Sequence, residues 1–284
     1  MPRILITLGD PAGIGPEIID LALASGRLPA GFEFEILGER NAATPGKPDA
    51  RSAQAALDAL HQAAERLTNH TADAVVTGPI SKQRMQAIGF PFPGQTEFFA
   101  SAMGVEDYGM LLTGPTLSVA LATIHEPLAN VPALLTQQRI RRISLLTAAF
   151  LTKRGVAAPR IAVAGLNPHA GEDGAFGDEE SRIIRPAIAE LNRLLPGVFS
   201  GPEVPDAVFR AAASGDFDAV IAMYHDQGLI PLKLLDFDAA VNVTLGLPKP
   251  RTSPDHGTAF AIAGQHRANP ASMLAAIRLA CELA

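Results

Sequence analysis

The sequence predicts an α/β protein with a mainly parallel sheet, and three observations carry that prediction. Short apolar runs recur along the chain: ILITL (4–8), FEIL (34–37), AVVTG (74–78), LSVALATI (117–124), IAVAGL (161–166), AVIAMY (219–224) and VNVTLG (241–246). Most are apolar at consecutive positions, as expected of strands covered on both faces. Between them, apolar residues fall at helical spacing. Examples are Ala53, Ala56, Leu57, Leu60, Ala64 and Leu67, and again Ile183, Ile184, Ala187, Ile188, Leu191 and Leu195. Alternating strand and helix patterns imply parallel pairing.

The first strand runs into GDPAGIGPEI (9–18), a glycine-rich turn and a helix start. A dinucleotide-binding turn follows G-x-G-x-x-G, its third glycine allowing close helix packing. Here Ile18 stands where that glycine is wanted, and Glu17 would compete with a phosphate for the positive helix end. Pro16 suits the first turn of a helix, and Glu33 and Glu35 are only loosely placed for a ribose contact. The turn is therefore read as a tight strand-to-helix connection. Residues 41–52, NAATPGKPDARS, form the clearest turn-rich connector. The helix over 183–195 opens with Asp178-Glu179-Glu180 and carries Arg193 late, in keeping with its dipole. PDHGTAFAIAG (254–264) reads as a loop leading into a small-residue helix.

Composition narrows the function. Of 284 residues, 48% are apolar and 18% charged, so a sizeable core is expected. A net charge of −6 without a basic run disfavours a nucleic-acid partner. The single cysteine, Cys281, permits no intrachain disulfide and suits a reducing compartment. The most apolar stretch, Met110 to Ile124, is broken at Gly114-Pro115 and falls short of the ~20 residues a membrane span requires. The start MPRILITLGDP lacks a secretory pattern. A cytoplasmic protein is expected.

Three of the seven histidines stand at or just past likely strand ends: His125 after LSVALATI, His169 in LNPHAGEDG and His225 in MYHDQG. Open α/β sheets bind ligands at that edge, and three imidazoles with an open position suit a catalytic divalent metal. Each could instead simply satisfy a backbone carbonyl at its strand end. Asp226 and Glu172 lie beside two of them. Thr96, Lys233, Asn242 and Arg251 form a second set suited to phosphate, Lys as a point charge and Arg as a fork. Taken singly, such cations are ordinary surface residues.

TLGDPAGIGPEI, TGPISK, GQTEFFA, LNPHAGEDGAFGDEE, MYHDQGLIPLK and VNVTLGLPKPRTSPDHGTA follow in order from residue 7 to residue 259. With these stretches the chain resembles the 4-hydroxythreonine-4-phosphate dehydrogenase family, NAD-dependent enzymes of pyridoxal phosphate synthesis. The resemblance implies the isocitrate/isopropylmalate dehydrogenase fold, with two α/β/α domains and a cleft between them. It implies domains over 1–95 plus 250–284 and over 96–249. Its cofactor, NAD or NADP, would be held by His256, Gly257, Thr258 and Ala259 rather than by the N-terminal glycines. The metal ligands would be His125, His169 and His225, shared across a homodimer so that one comes from the partner chain; zinc is the leading metal, with magnesium or cobalt as alternatives. Substrate contacts would be Gln95, Thr96, Lys233, Asn242 and Arg251, and Asp226, Asp255 and Lys233 are the general-base candidates.

The family usually carries His where this chain has Gln95, and glutamine cannot be cationic or relay a proton near neutral pH. The connector after FEIL is also shorter than usual. The expected reaction is metal-assisted oxidation of 4-phosphooxy-L-threonine to a β-keto acid that decarboxylates. A related dehydrogenase acting on a phosphorylated sugar acid or a cis-dihydrodiol dicarboxylate is the alternative that Gln95 raises. A non-catalytic phosphate-binding or acyl-transfer protein is the more distant one, against which the three histidines argue.

Overall fold

The alternation of apolar runs and helical spacing resolves into ten strands and ten α-helices in a computed structural model describing all 284 residues. In chain order, β1 (Arg3–Thr7) leads to α1 (Gly15–Leu23), β2 (Glu33–Leu37), α2 (Ala50–Thr68), β3 (Ala74–Thr77), α3 (Lys82–Ala87) and α4 (Gln95–Ala102). There follow β4 (Gly109–Thr113), β5 (Ser118–Leu121), α5 (Val131–Leu134), α6 (Gln137–Lys153), β6 (Ile161–Ala164), α7 (Arg185–Leu194), β7 (Phe199–Glu203), α8 (Pro205–Ala213), β8 (Ala219–Ala222) and α9 (His225–Asp236). β9 (Val241–Leu245), β10 (Arg251–Pro254) and α10 (Ala271–Leu283) complete the chain. No helix is long and apolar enough to cross a membrane.

Two units divide the chain, residues 1–106 with 238–284 and residues 107–237. The boundaries differ from the expected ones, because 96–106 and 238–249 belong to the first unit. Phe98 and Phe99 of α4 pack into the same apolar cluster as Leu5, Val75 and Leu60, and β9 is laddered antiparallel to β10, from Arg251 opposite Thr244 to Pro254 opposite Val241. Burying two phenyl rings and pairing a strand hold both segments to that sheet.

In the first unit the strands lie in the order β2-β1-β3-β10-β9, parallel except for the last pair. The helix read at 53–67 is α2, and its apolar stripe covers the sheet through Ala53, Ala56, Leu60, Ala64 and Leu67. Its start lies within the turn-rich connector: Asp49 accepts from the Ser52 N–H while the Ser52 hydroxyl accepts from the Asp49 N–H, satisfying donors the first turn leaves open. The opening glycines serve packing. A Cβ on Gly15 would fall inside contact distance of the Leu8 carbonyl oxygen.

In the second unit the order is β4-β5-β8-β6-β7, with β4 antiparallel to β5 and the rest parallel. The apolar stretch 110–124 is thus a hairpin, its break at Gly114-Pro115 the turn between β4 and β5. The helix at 183–195 begins as a single wide turn over Glu180–Ile184 and continues as α7. Glu180 does not serve the dipole as expected. It is buried, and its carboxylate accepts the N–H groups of Leu166 and Asn167.

Three strands lie outside the apolar runs. β4 lies in the apolar stretch 110–124 ahead of its break at Gly114-Pro115, β7 is FSGPE and β10 is RTSP; polar residues obscure the last two, although β10 is buried throughout. The small-residue helix expected after PDHGTA is absent. Residues 254–264 hold only a short turn at Phe260–Ile262, Ala259 sits in the left-handed region at φ 43°, and the next helix, α10, starts at Ala271.

Leu60 lies wholly inside the first unit, so Leu60→Ala is expected to lower the unfolding free energy by about 2–5 kcal/mol. Asp49→Ala, which removes only a cap, is expected to cost about 1 kcal/mol. Urea titration followed by circular dichroism measures both, and equal losses would contradict this assignment of roles.

Candidate functional site

Arg251 opens β10 and its side chain is enclosed by protein, 4% exposed. Strand pairing puts β10 between β3 and β9, which brings three threonines to its guanidinium. Nη2 donates to Thr77 Oγ1 at 2.6 Å and Nε to the same oxygen at 3.1 Å. Nη1 donates to Thr244 Oγ1 at 3.3 Å and to Thr96 Oγ1 at 3.4 Å. No carboxylate touches it. Burial drives its pKa down to about 10, partly offset by the more distant Glu97 charge, so it stays cationic at neutral pH. A buried cation held only by neutral hydroxyls is electrostatically incomplete, and an oxyanion completes it.

Thr96 and Arg251, expected together from sequence, do meet. Thr77 and Thr244 escaped sequence reading, although both close apolar strand runs, TG of AVVTG and TLG of VNVTLG. Gln95 stands beside Thr96 at the start of α4. Its Nε2 donates to the Gly78 carbonyl at 3.1 Å, and its Oε1 is buried without a partner. Asn242 on β9 also has a buried, unpartnered Oδ1. Lys233 lies on α9 of the second unit, about two turns beyond His225.

The loop His256-Gly257-Thr258-Ala259 rests on the opening turn. The Ile14 N–H donates to the Thr258 carbonyl at 2.9 Å, and a Cβ on Gly13 would sit 2.7 Å from that oxygen. The N-terminal glycines therefore brace this loop. Glu17 is occupied elsewhere, its carboxylate accepting the N–H groups of Gly264 and Ala268. Open space lies where a Cβ on Gly257 would be, and His256 Nε2 is buried without a partner. An exposed backbone turn and an orphaned ring nitrogen fit a ligand that brings its own polar atoms, as a dinucleotide does. Asp255 precedes this loop, its N–H donating to Ser272 Oγ at 3.1 Å.

In the second unit β5 and β8 are parallel neighbours, with Leu121 opposite Ala222. Their carboxyl ends therefore emerge side by side, one leading to His125 and the other to His225 at the first position of α9. The two rings lie 5.5 Å apart, centroid to centroid. With Glu126, Tyr224 and Asp226 they line a cavity of about 390 Å³. His169 follows β6 in a left-handed stretch, its own φ being 53°. Its ring packs edge-on against Phe176. His225 Nδ1 lies 2.6 Å from Asp226 Oδ1, and His169 Nδ1 lies 3.1 Å from Glu172 Oε2. A carboxylate on Nδ1 leaves Nε2 facing outward, the way metal-ligating histidines are oriented. The donor chemistry fits a divalent metal, but within one chain no three His, Cys, Asp or Glu side chains come close enough to hold one. His125 and His225 are brought together; His169 does not join them to complete a metal-holding group of three.

The profile of the family described as "Pyridoxal phosphate biosynthetic protein PdxA" matches residues 24–280. A protein of Erythrobacter litoralis named 4-hydroxythreonine-4-phosphate dehydrogenase is 45% identical over 325 aligned positions, covering 99% of this chain and 96% of that protein. Among solved structures, the 4-hydroxythreonine-4-phosphate dehydrogenase of Klebsiella pneumoniae superposes with a TM-score of 0.86 at 37% identity, over 100% of this chain and 99% of the other. A terephthalate 1,2-cis-dihydrodiol dehydrogenase of Burkholderia xenovorans superposes at 0.71 with 31% identity, over 99% and 98%. An isocitrate dehydrogenase of Methylococcus capsulatus, 18% identical with a TM-score of 0.53 over 99% and 84%, shares the fold. The expected isocitrate/isopropylmalate dehydrogenase-like fold is therefore the one observed, and the chain belongs to the PdxA family of pyridoxal phosphate biosynthetic proteins.

Proposed function

We propose that this chain is an NAD- or NADP-dependent, metal-assisted dehydrogenase that oxidises the secondary alcohol of 4-phosphooxy-L-threonine during pyridoxal phosphate biosynthesis. The single observation that carries the reading is Arg251: a buried guanidinium with hydroxyl partners only is built for a phosphate. Its relatives' names support the same substrate and an oxidoreductase activity.

Arg251, with Thr77, Thr96 and Thr244 around it, binds the phosphate; Asn242 Oδ1 and Gln95 Oε1 are left to accept hydrogen bonds from the rest of the substrate. His256 to Ala259 would hold the nicotinamide cofactor, which would supply a hydride acceptor for the carbinol carbon. His125, His169 and His225 would hold the divalent metal, which would supply Lewis acidity for the substrate alcohol. Asp226 and Glu172 orient His225 and His169. That leaves Asp255 and Lys233 to take the alcohol proton. The β-keto acid formed then loses CO₂. Because His125 and His225 pair within one chain, His169 is the histidine we assign to the partner in a homodimer. The exposed Ile230, Leu234, Leu235 and Phe237 on and beside α9 support such a partner.

Gln95 favours a second reading. An amide in place of an imidazole suits a different group next to the phosphate, as in a phosphorylated sugar acid, or a dicarboxylate dihydrodiol like that named for the Burkholderia xenovorans relative.

NADH absorbance with 4-phosphooxy-L-threonine tests the proposal. Turnover is expected to stop after chelation and to return with zinc, cobalt or magnesium; unchanged turnover in chelated enzyme refutes the metal role. His225→Ala is expected to abolish both metal retention and NADH formation. Arg251→Met is expected to raise KM by roughly 10- to 100-fold, matching the about 1.5–3 kcal/mol of hydrogen bonds to a charged group. The same variant bears on stability. A folded-state pKa lowered to about 10 from 12.5 means the buried charge costs stability below pH 10, relieved as pH rises through about 10. Ligand-free Arg251→Met is therefore expected to melt no lower than wild type at pH 7, and a large fall in Tm would show that the guanidinium is structural.

A further inference from the structure

A second arginine cluster lies in the second unit, on the outer face of α6. Arg139, Arg141 and Arg142 line a cavity of about 660 Å³ with Asp107, Thr136, Gln138, Leu145 and Leu146. Its walls follow from packing. Ile140, Ile143 and Thr147 are buried on the opposite face of α6. Gly109 lets that helix sit close to the start of β4, since a Cβ there would strike the Ile143 side chain. This brings Asp107 to the rim. Arg139, Arg142 and Leu146 fall at i, i+3 and i+7 and so share a stripe.

The charges are unequal. Arg141 pairs with Glu190 at 2.8 Å, whereas Arg139 and Arg142 have no carboxylate within ion-pair distance. Asp107 is the only acid lining the cavity. The Nε atoms of Arg141 and Arg142 are covered by protein and have no hydrogen-bond partner. Covered donors on a cation lose their hydration without compensation. The first turn of α6 adds to this. The Thr136 side chain caps the Arg139 N–H, and Thr136 and Gln138 of this helix start line the same cavity as the arginines, so the positive helix end lies at its edge.

We infer that Arg139 and Arg142 form a second oxyanion site, separate from Arg251, that takes the phosphate group of a small phosphorylated metabolite. Two guanidiniums one helical turn apart carry two positive charges, which the charge and three terminal oxygens of a phosphate dianion match better than a singly charged carboxylate does. The site uses no residue assigned to the dehydrogenase reaction, so it stands or falls separately from that reading.

Isothermal titration of the full-length, metal-replete protein with inorganic phosphate tests it. Wild type is expected to bind two phosphates per chain. Arg251→Met is expected to lose one of them and the double variant Arg139→Gln/Arg142→Gln the other, while the double variant keeps its kcat. The single variant Arg139→Gln, at a half-exposed side chain, is expected to weaken only the second site, about tenfold. One phosphate in wild type, lost in Arg251→Met and unchanged in both glutamine variants, overturns the inference and leaves Arg139 and Arg142 as solvated charges facing Asp107.

Discussion

A guanidinium enclosed by hydroxyls, with no carboxylate in contact, constrains the assembly of the whole first unit. Arg251 can occupy that position only if β10 lies between β3 and β9, so that Thr77 arrives from one side and Thr244 from the other. α4 must also start close enough for Thr96 to reach it. The cost of enclosing this charge falls on the ligand-free fold. That cost is tolerable because the surrounding strands are apolar on both faces and bury a large continuous core.

The same economy of backbone appears in the opening turn. Glycines there resemble a phosphate cradle in sequence, yet the space beside Gly13 is filled by the Thr258 carbonyl and that beside Gly15 by Leu8. The absence of side chains allows two chain segments to approach, and the open backbone is displaced to Gly257 on the braced loop. Glu17, which would repel a phosphate at the α1 end, instead ties residues 264–268 in place. One turn thus braces the loop over residues 256–259, about 240 residues away along the chain.

The histidines illustrate how parallel pairing brings distant sequence to one cavity. His125 and His225 are 100 residues apart, but their strands are hydrogen-bonded neighbours. Short connections from two adjacent carboxyl ends leave the rings facing one cavity. His169 follows β6, on the far side of β8 from β5, and its loop is turned by a run of left-handed residues pinned through Glu180. Both His169 and His225 carry a carboxylate on Nδ1, one in the loop after β6 and the other at the start of α9.

Much of this was legible in the sequence. Consecutive apolar runs marked seven of ten strands, and the spacing from Ala53 to Leu67 marked α2, because burial on two faces or one stripe dictates residue type locally. The motif order carried the family, and Thr96 and Arg251, grouped from sequence, lie within hydrogen-bond reach of each other. What only the tertiary structure decided depends on neighbours from elsewhere in the chain. β10 is polar in sequence and buried in the fold because its side chains find partners on β3 and β9 and in α10. Glu180 reads as a helix-start acid, yet two backbone N–H groups after β6 claim it. Thr77 and Thr244 look like ordinary strand ends until a buried charge stands between them. Periodicity reports which residues leave water; it does not report which distant group each polar atom will meet, and the chemistry of this protein resides in those meetings.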